Sequence, residues 1–258
     1  MRLMKRILSA AAVLALSASL LVGCSSGTAS SVPVSASSAA ESTVSSVEET
    51  ASSAVDENEA AAAQLLNDLT GSYQELWPVI LADEYKQTWL DDCTALVGED
   101  NAEAAFEKLS SMGTGDVYGE DAVKAYANGG GAYFCGFTNS LAILTFDGET
   151  STISGTDKDG NVLFSHTYHY IGMEPVRGLY EFQSDDADSG EFTYFFLAPD
   201  TSAETYHIEF RYGSDAEALS QYDAGEYAYW LASGISTDCD QTMIDNCIEL
   251  FCTENLAG

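Results

Sequence analysis

Gly178–Gly213 reads GLYEFQSDDADSGEFTYFFLAPDTSAETYHIEFRYG, three apolar runs separated by polar turns. Leu179–Gln183, Phe192–Leu197 and Thr205–Tyr212 are rich in aromatic and β-branched residues, so each is expected as a strand. In the third run, alternation sends Thr205, His207 and Glu209 to one face and Tyr206, Ile208 and Phe210 to the other. One face is suited to packing, while the other carries donor atoms.

The same pattern extends upstream through Ala132–Thr138, Leu141–Phe146, Thr152–Gly155 and Val162–Ile171. Asp147-Gly148 and Asp159-Gly160-Asn161 supply the positive φ that tight hairpins need. Seven strands joined this way form an antiparallel meander, which closes most readily as an up-and-down barrel without exposed edges. Before it, Leu69, Tyr73, Leu76, Trp77 and Ile80 recur at helical spacing, so Asn67–Asp92 is expected as one or two helices, with Pro78 kinking or restarting the chain. Asn101–Ser111 and Glu120–Ala127 read as short amphipathic helices ended by Asn128-Gly129-Gly130-Gly131. Ser214–Gln221, starting at a Ser cap, and Asp238–Asn255 are the helices that follow the last strand. The fold class is therefore mainly β with helices: an antiparallel up-and-down barrel flanked by N-terminal and C-terminal helices.

At the N-terminus Arg2, Lys5 and Arg6 precede the apolar run Ile7–Leu20 and then Leu21-Val22-Gly23-Cys24. This is the pattern of a lipoprotein signal over 1–23, with Cys24 lipidated after cleavage. Residues 24–62 carry mostly Ser, Ala, Thr, Val and Glu, too little apolar surface to offset ordering entropy, and read as a disordered tether. Residues 63–258 form the domain, which holds all fourteen tyrosines and all three tryptophans. The expected location is outside the cytoplasm, lipid-anchored on the outer face of the cytoplasmic membrane, or on the periplasmic side in a two-membrane bacterium.

Loss of the signal leaves six basic residues against forty-one acidic ones, 6 minus 41, a formal charge of −35. A field of that sign repels phosphate backbones and excludes nucleic acid as a partner, and it concentrates cations at the surface. Cys93, Cys135, Cys239, Cys247 and Cys252 remain beyond Cys24, an odd number for an exported chain. Cys247 and Cys252 lie ~140° apart around one helix, so neither bridges the other, and any disulfide they make must reach elsewhere, for example to Cys93. No zinc-type C-x-x-C is present. Asp157–Asn161 resembles a calcium loop only briefly, since Val162 stands at the sixth position, where its glycine belongs, and Tyr168 at the twelfth, where its glutamate belongs. Asp185–Asp188 is an acidic hairpin end. No nucleophile elbow, Walker sequence, HExxH or complete dinucleotide fingerprint occurs, and no enzymatic activity is expected.

Several motifs resemble the ZinT family of bacterial zinc-trafficking proteins. They are Leu179-Tyr180-Glu181-Phe182, the acidic turn Asp186-Ala187-Asp188-Ser189-Gly190-Glu191-Phe192, Ala198-Pro199, Thr205-Tyr206-His207-Ile208 and, far upstream, Gly71–Ile80. The resemblance covers about residues 65–256. It implies a calycin-like barrel, bound Zn²⁺, and transfer of that zinc to the binding protein of a zinc ABC transporter. It also implies a three-histidine site, of which only His207 survives. The first ligand position falls at Phe195, or at Phe196 if the preceding loop is one residue longer, and the second is Thr205.

His207 is thus the foremost metal candidate, with Glu209 on its face. A single imidazole does not hold zinc, which takes three or four protein ligands, so further donors are needed. His169 is the expected second ligand, on the more polar face of Val162–Ile171, with Glu204 or Glu209 as a carboxylate third. His166 shares its face with Phe164 and Tyr168 and is excluded from that site by its odd spacing from His169. Two functions follow: zinc capture in the mouth of the barrel, or a barrel that has lost its metal and binds a small apolar ligand or a protein partner.

Overall fold

The computed structural model describes residues 57–114, 119, 121, 133–198 and 207–256. Within them the chain runs through helix α1 (57–68), β1 (Gly71–Glu75), α2 (Leu76–Ile80), a 3₁₀ turn (Asp83–Tyr85), α3 (Lys86–Val97) and α4 (Glu99–Thr114). It continues through β2 (Ile143–Asp147), β3 (Thr152–Thr156), β4 (Val162–Met173), β5 (Tyr180–Ser184), β6 (Tyr194–Leu197) and β7 (His207–Gly213). Last come α5 (Ala216–Leu219), β8 (Ala232–Ser236) and α6 (Gln241–Leu256). The strands form a closed barrel in the order β1 to β8, every neighbouring pair antiparallel. The β1–β8 pair, with Tyr73 opposite Ser236, completes the ring.

The fold class stands, and the strand inventory differs in two places. β1 lies inside the stretch expected to be helical. Tyr73 is directed into the barrel against Phe146, ring centroids 5.6 Å apart, and the helix restarts at Leu76. Pro78 therefore sits in the first turn of α2, where a missing N–H leaves no ladder bond unmade. The expected strand over Ala132–Thr138 makes only an isolated parallel bridge, Phe134 to Trp230. The eighth strand is instead Ala232–Ser236, which the sequence pattern did not reveal.

Smaller differences follow the same logic. Asp215, not Ser214, caps α5, accepting hydrogen bonds from the Glu217 and Ala218 amides. Gly160 has φ +81°, as expected, but in the β2–β3 turn the positive φ falls on Ser151 rather than Gly148. The described residues open at 57 already in α1, within the segment read as tether, and Ala62 is fully buried. Most of Glu120–Ala127 lies outside the described residues, as do the signal segment and Cys24. Among the described residues no helix is long and apolar enough to cross a membrane.

Two apolar cores result. The first fills the barrel with inward rings, among them Phe164, Tyr168, Phe182, Phe195, Phe210 and Tyr212, and Leu65 and Leu66 of α1, with Leu69 just after it, join it. The second lies outside the barrel, where α2, α3, α4 and α6 pack around Trp89, Leu109, Ile244 and Ile248, with Ile235 of β8 joining it. β8 is thus covered on both faces, by the barrel core and by the helical layer.

Candidate functional site

Alternation along β7 turns Ile208, Phe210 and Tyr212 into the barrel core, so His207, Glu209 and Arg211 occupy its outer face. That face looks at the helical layer. The His207 ring lies 5.9 Å from the Phe251 ring of α6, and Phe251 in turn lies 4.9 Å from Trp77 of α2. Glu209 lines a cleft of about 210 Å³ together with Trp77, Cys135, Arg177, Phe251 and Glu254. The donors of the β7 face therefore meet a groove between barrel wall and C-terminal helix, not the barrel mouth.

The cleft wall is built from chain segments far apart in sequence. Arg177, in the β4–β5 loop, stacks over Tyr133 at 4.5 Å and over Tyr222 at 4.8 Å. Arg211 stacks over the same Tyr222 at 4.3 Å, and donates to the carbonyl oxygens of Leu219 and Tyr227. Glu174, buried, accepts from the Val176 amide at 2.7 Å, the Arg177 amide at 2.6 Å and the Tyr222 hydroxyl at 3.3 Å. Burial and the Glu174 carboxylate push the Tyr222 phenol up to about 12. These two arginines are the only ones beyond Arg6. Each is held by aromatic faces, which suit a weakly hydrated guanidinium.

Cys135 donates to the Tyr133 carbonyl at 3.5 Å. Burial, followed by the Glu209 carboxylate, pushes its thiol up to about 11. It is therefore protonated at neutral pH, and a thiol ligates metal as the thiolate.

The remaining donors do not converge on His207. His169 lies on β4 with Nδ1 2.6 Å from Asp185 Oδ1, and His166 has Nδ1 2.7 Å from Asp186 Oδ2. Both imidazoles of β4 are thus engaged by the acidic hairpin between β5 and β6. Register carries His169 across Gln183 and Tyr194 to the level of Gly213. It stands three strands away from His207 and six residues along β7, roughly 20 Å in the strand direction alone. The pairing of His169 with His207 is therefore corrected: they do not share a site. Phe195, fully buried, points inward, its ring 5.4 Å from both Tyr168 and Tyr212. It occupies the opposite face of the sheet from His207. Phe196 lies opposite Arg211 and is also fully buried. Glu204 and Thr205 lie outside the described residues. Among the described residues, no group of three or more His, Cys, Asp or Glu side chains is placed to hold a metal ion.

His207 and Glu209 were legible from alternation, whereas Cys135, Arg177 and Glu254 were not. The one signal that pointed to the arginine cluster is compositional: two arginines stand alone in a strongly acidic domain.

No family model and no curated protein matches the sequence. Two solved structures similar to this chain come from Streptococcus pneumoniae. The Zn(II)-bound ZinT-like domain of AdcA is 15% identical, over 71% of this chain and 89% of that one, with a TM-score of 0.45. Zn(II)-bound AdcA is 16% identical, over 75% of this chain and 35% of that one, with a TM-score of 0.40.

Proposed function

We propose that this chain is a divergent ZinT-like protein, lipid-anchored outside the cytoplasm through Cys24, which captures a divalent cation, Zn²⁺ first, for a zinc-uptake transporter's binding protein. One observation carries the reading: Glu209 and Glu254 line one cleft, and His207, two residues before Glu209 on the outer face of β7, has its ring 5.9 Å from Phe251 of the same cleft. His166 and His169, on β4, pair with aspartates of the β5–β6 hairpin and stand apart from this face. The described residues supply fewer than the three protein ligands of a tight zinc site. Glu204, close before His207 in sequence, is the proposed completing donor. The ion is cargo, so the site must release it as well as capture it.

Isothermal calorimetry of the mature protein with Zn²⁺ tests this. Binding that His207→Ala abolishes, and that weakens as pH falls below ~6 where imidazoles protonate, is the expected result. Binding untouched by the substitution moves the site elsewhere. Absence of heat at micromolar zinc favours the second reading, a binder of small ligands or a protein partner. That reading is supported by the aromatic lining of the cleft and by the barrel interior, which is filled with rings and leaves the outer cleft as the place for a ligand. The anchor is tested separately: Cys24→Ser shifts the protein from the membrane fraction to the soluble one.

A further inference from the structure

Cys93 of α3 and Cys252 of α6 are both fully buried, and their sulfurs lie 3.9 Å apart across 159 residues of sequence. We infer that these two thiols are the site of a disulfide that fastens the C-terminal helix to the helical layer in the exported protein. The inference rests on the proposed export for its oxidising surroundings, and on geometry for the choice of partners. A disulfide needs its sulfurs at about 2.05 Å, so closure takes a movement of about 1.9 Å from the observed separation, within reach of small side-chain rotations and a slight approach of two packed helices. The other cysteines fit less well. Cys247 sits five residues before Cys252, on another side of α6. Cys135 lies at the cleft with its thiol on the Tyr133 carbonyl, and Cys239 is in the turn preceding α6.

The chemistry is thiol–disulfide exchange with a disulfide oxidant, either a small molecule such as oxidised glutathione or the oxidised dithiol of a protein oxidoreductase. One cysteine thiolate attacks the oxidant, forming a mixed disulfide and expelling one thiol. The second thiolate then displaces the remaining half. Two thiols are oxidised, the oxidant's disulfide is reduced, and its two halves leave with the two protons. Burial raises the pKa of both thiols, so exchange is slow once α6 is docked. The bond therefore forms while the chain folds.

The functional consequence follows from position along α6. Cys252 is flanked by Phe251, and by Glu254 and Asn255 one turn on, and all three line the cleft. Fastening Cys252 to α3 fixes the wall that faces His207 and Glu209.

The mature chain is refolded with oxidised glutathione, alkylated under denaturing conditions and mapped by mass spectrometry without reduction. A Cys93–Cys252 linked peptide is expected. So is a rise in melting temperature over the dithiothreitol-treated protein, on the order of 10 °C for a loop this long, absent in Cys93→Ala. Finding both cysteines alkylated, or either one linked to Cys135, Cys239 or Cys247, overturns the inference. The peptide map of the unsubstituted chain decides this even if Cys93→Ala folds poorly. Recovery from membrane or cytoplasm is scored separately: a cytoplasmic chain that still forms the linked peptide on refolding sinks the export reading and leaves the pairing intact.

Discussion

Phe195 is one of the two positions, with Phe196, at which the resemblance implies a first metal ligand. Its ring stacks within the barrel core, 5.8 Å from Phe164 and 5.4 Å from Tyr212. Its strand partner there is Tyr212, an inward residue, whereas His207 faces outward. A histidine at this position would therefore place a polar imidazole in a hydrocarbon environment, on the wrong side of the wall to reach the cleft. Phe195→His is expected to cost about 2–4 kcal/mol of stability, from lost packing plus an unsatisfied buried N–H, and to leave zinc affinity unchanged. Urea unfolding and calorimetry on the same variant check both halves. A gain in zinc affinity would show that the first ligand position still opens onto the site.

Among the elements, α1 has the most specific seat. At Gly148, in the β2–β3 turn, an added Cβ would stand 2.4 Å from the Asn67 Cα and 2.6 Å from the Leu66 carbonyl oxygen, both backbone atoms that no rotamer change can move aside. The Gly148 amide also donates to Thr70 Oγ1 at 3.0 Å. This glycine is required by the close approach of a helix, not by its own φ. Gly148→Ala is expected to lift α1 from the barrel end at a cost of about 1–3 kcal/mol. Amide exchange should accelerate over 62–69 while β4 and β5 keep their protection; unchanged exchange in α1 would refute the seat. Alternation marked β2 to β5 and the first half of β7, where one face is covered and the other less so, while β6, buried at Phe195, Phe196 and Leu197 alike, was marked by its aromatic run. β8 escaped because Ala232, Ser233, Gly234 and Ile235 are all buried, so no alternation exists to be read. β1 escaped because Tyr73 of the strand and Leu76, Trp77 and Ile80 of the next helix together imitate a helical stripe. The cleft was partly legible for the same reason: His207 and Glu209 belong to one alternating strand, while Arg177, Cys135 and Glu254 meet them only through tertiary packing.

On the scale of the molecule, charge opposes the packing of the helical layer. With forty-one acidic and nine basic residues in the chain, carboxylates meet one another across helix seams. Asp92 of α3 is the clearest instance: burial, then Glu249 and Asp245 of α6, and then Asp91, raise its pKa. Burial and Glu174 act in the same direction on Glu181. A carboxyl whose pKa is higher folded than unfolded binds its proton more tightly in the folded state. Its favourable contribution is complete below the unfolded pKa and is lost as pH rises through the folded one. At neutral pH both groups are therefore ionised at a cost. Asp92→Asn should raise the melting temperature at pH 7 by about 1–2 °C, the scale of a favourable surface change in a domain of this size. The gain should shrink toward zero near pH ~2, well below the unfolded aspartate pKa of about 3.9, where the carboxyl is protonated in either state, and also in high salt, which screens the repulsion. Calorimetric melts of the two proteins at both pH values test it, and an equal gain at each would rule out the electrostatic cause. Asp92 adjoins Cys93, so the seam that repels through its carboxylates is the one that the Cys93–Cys252 bond would fasten.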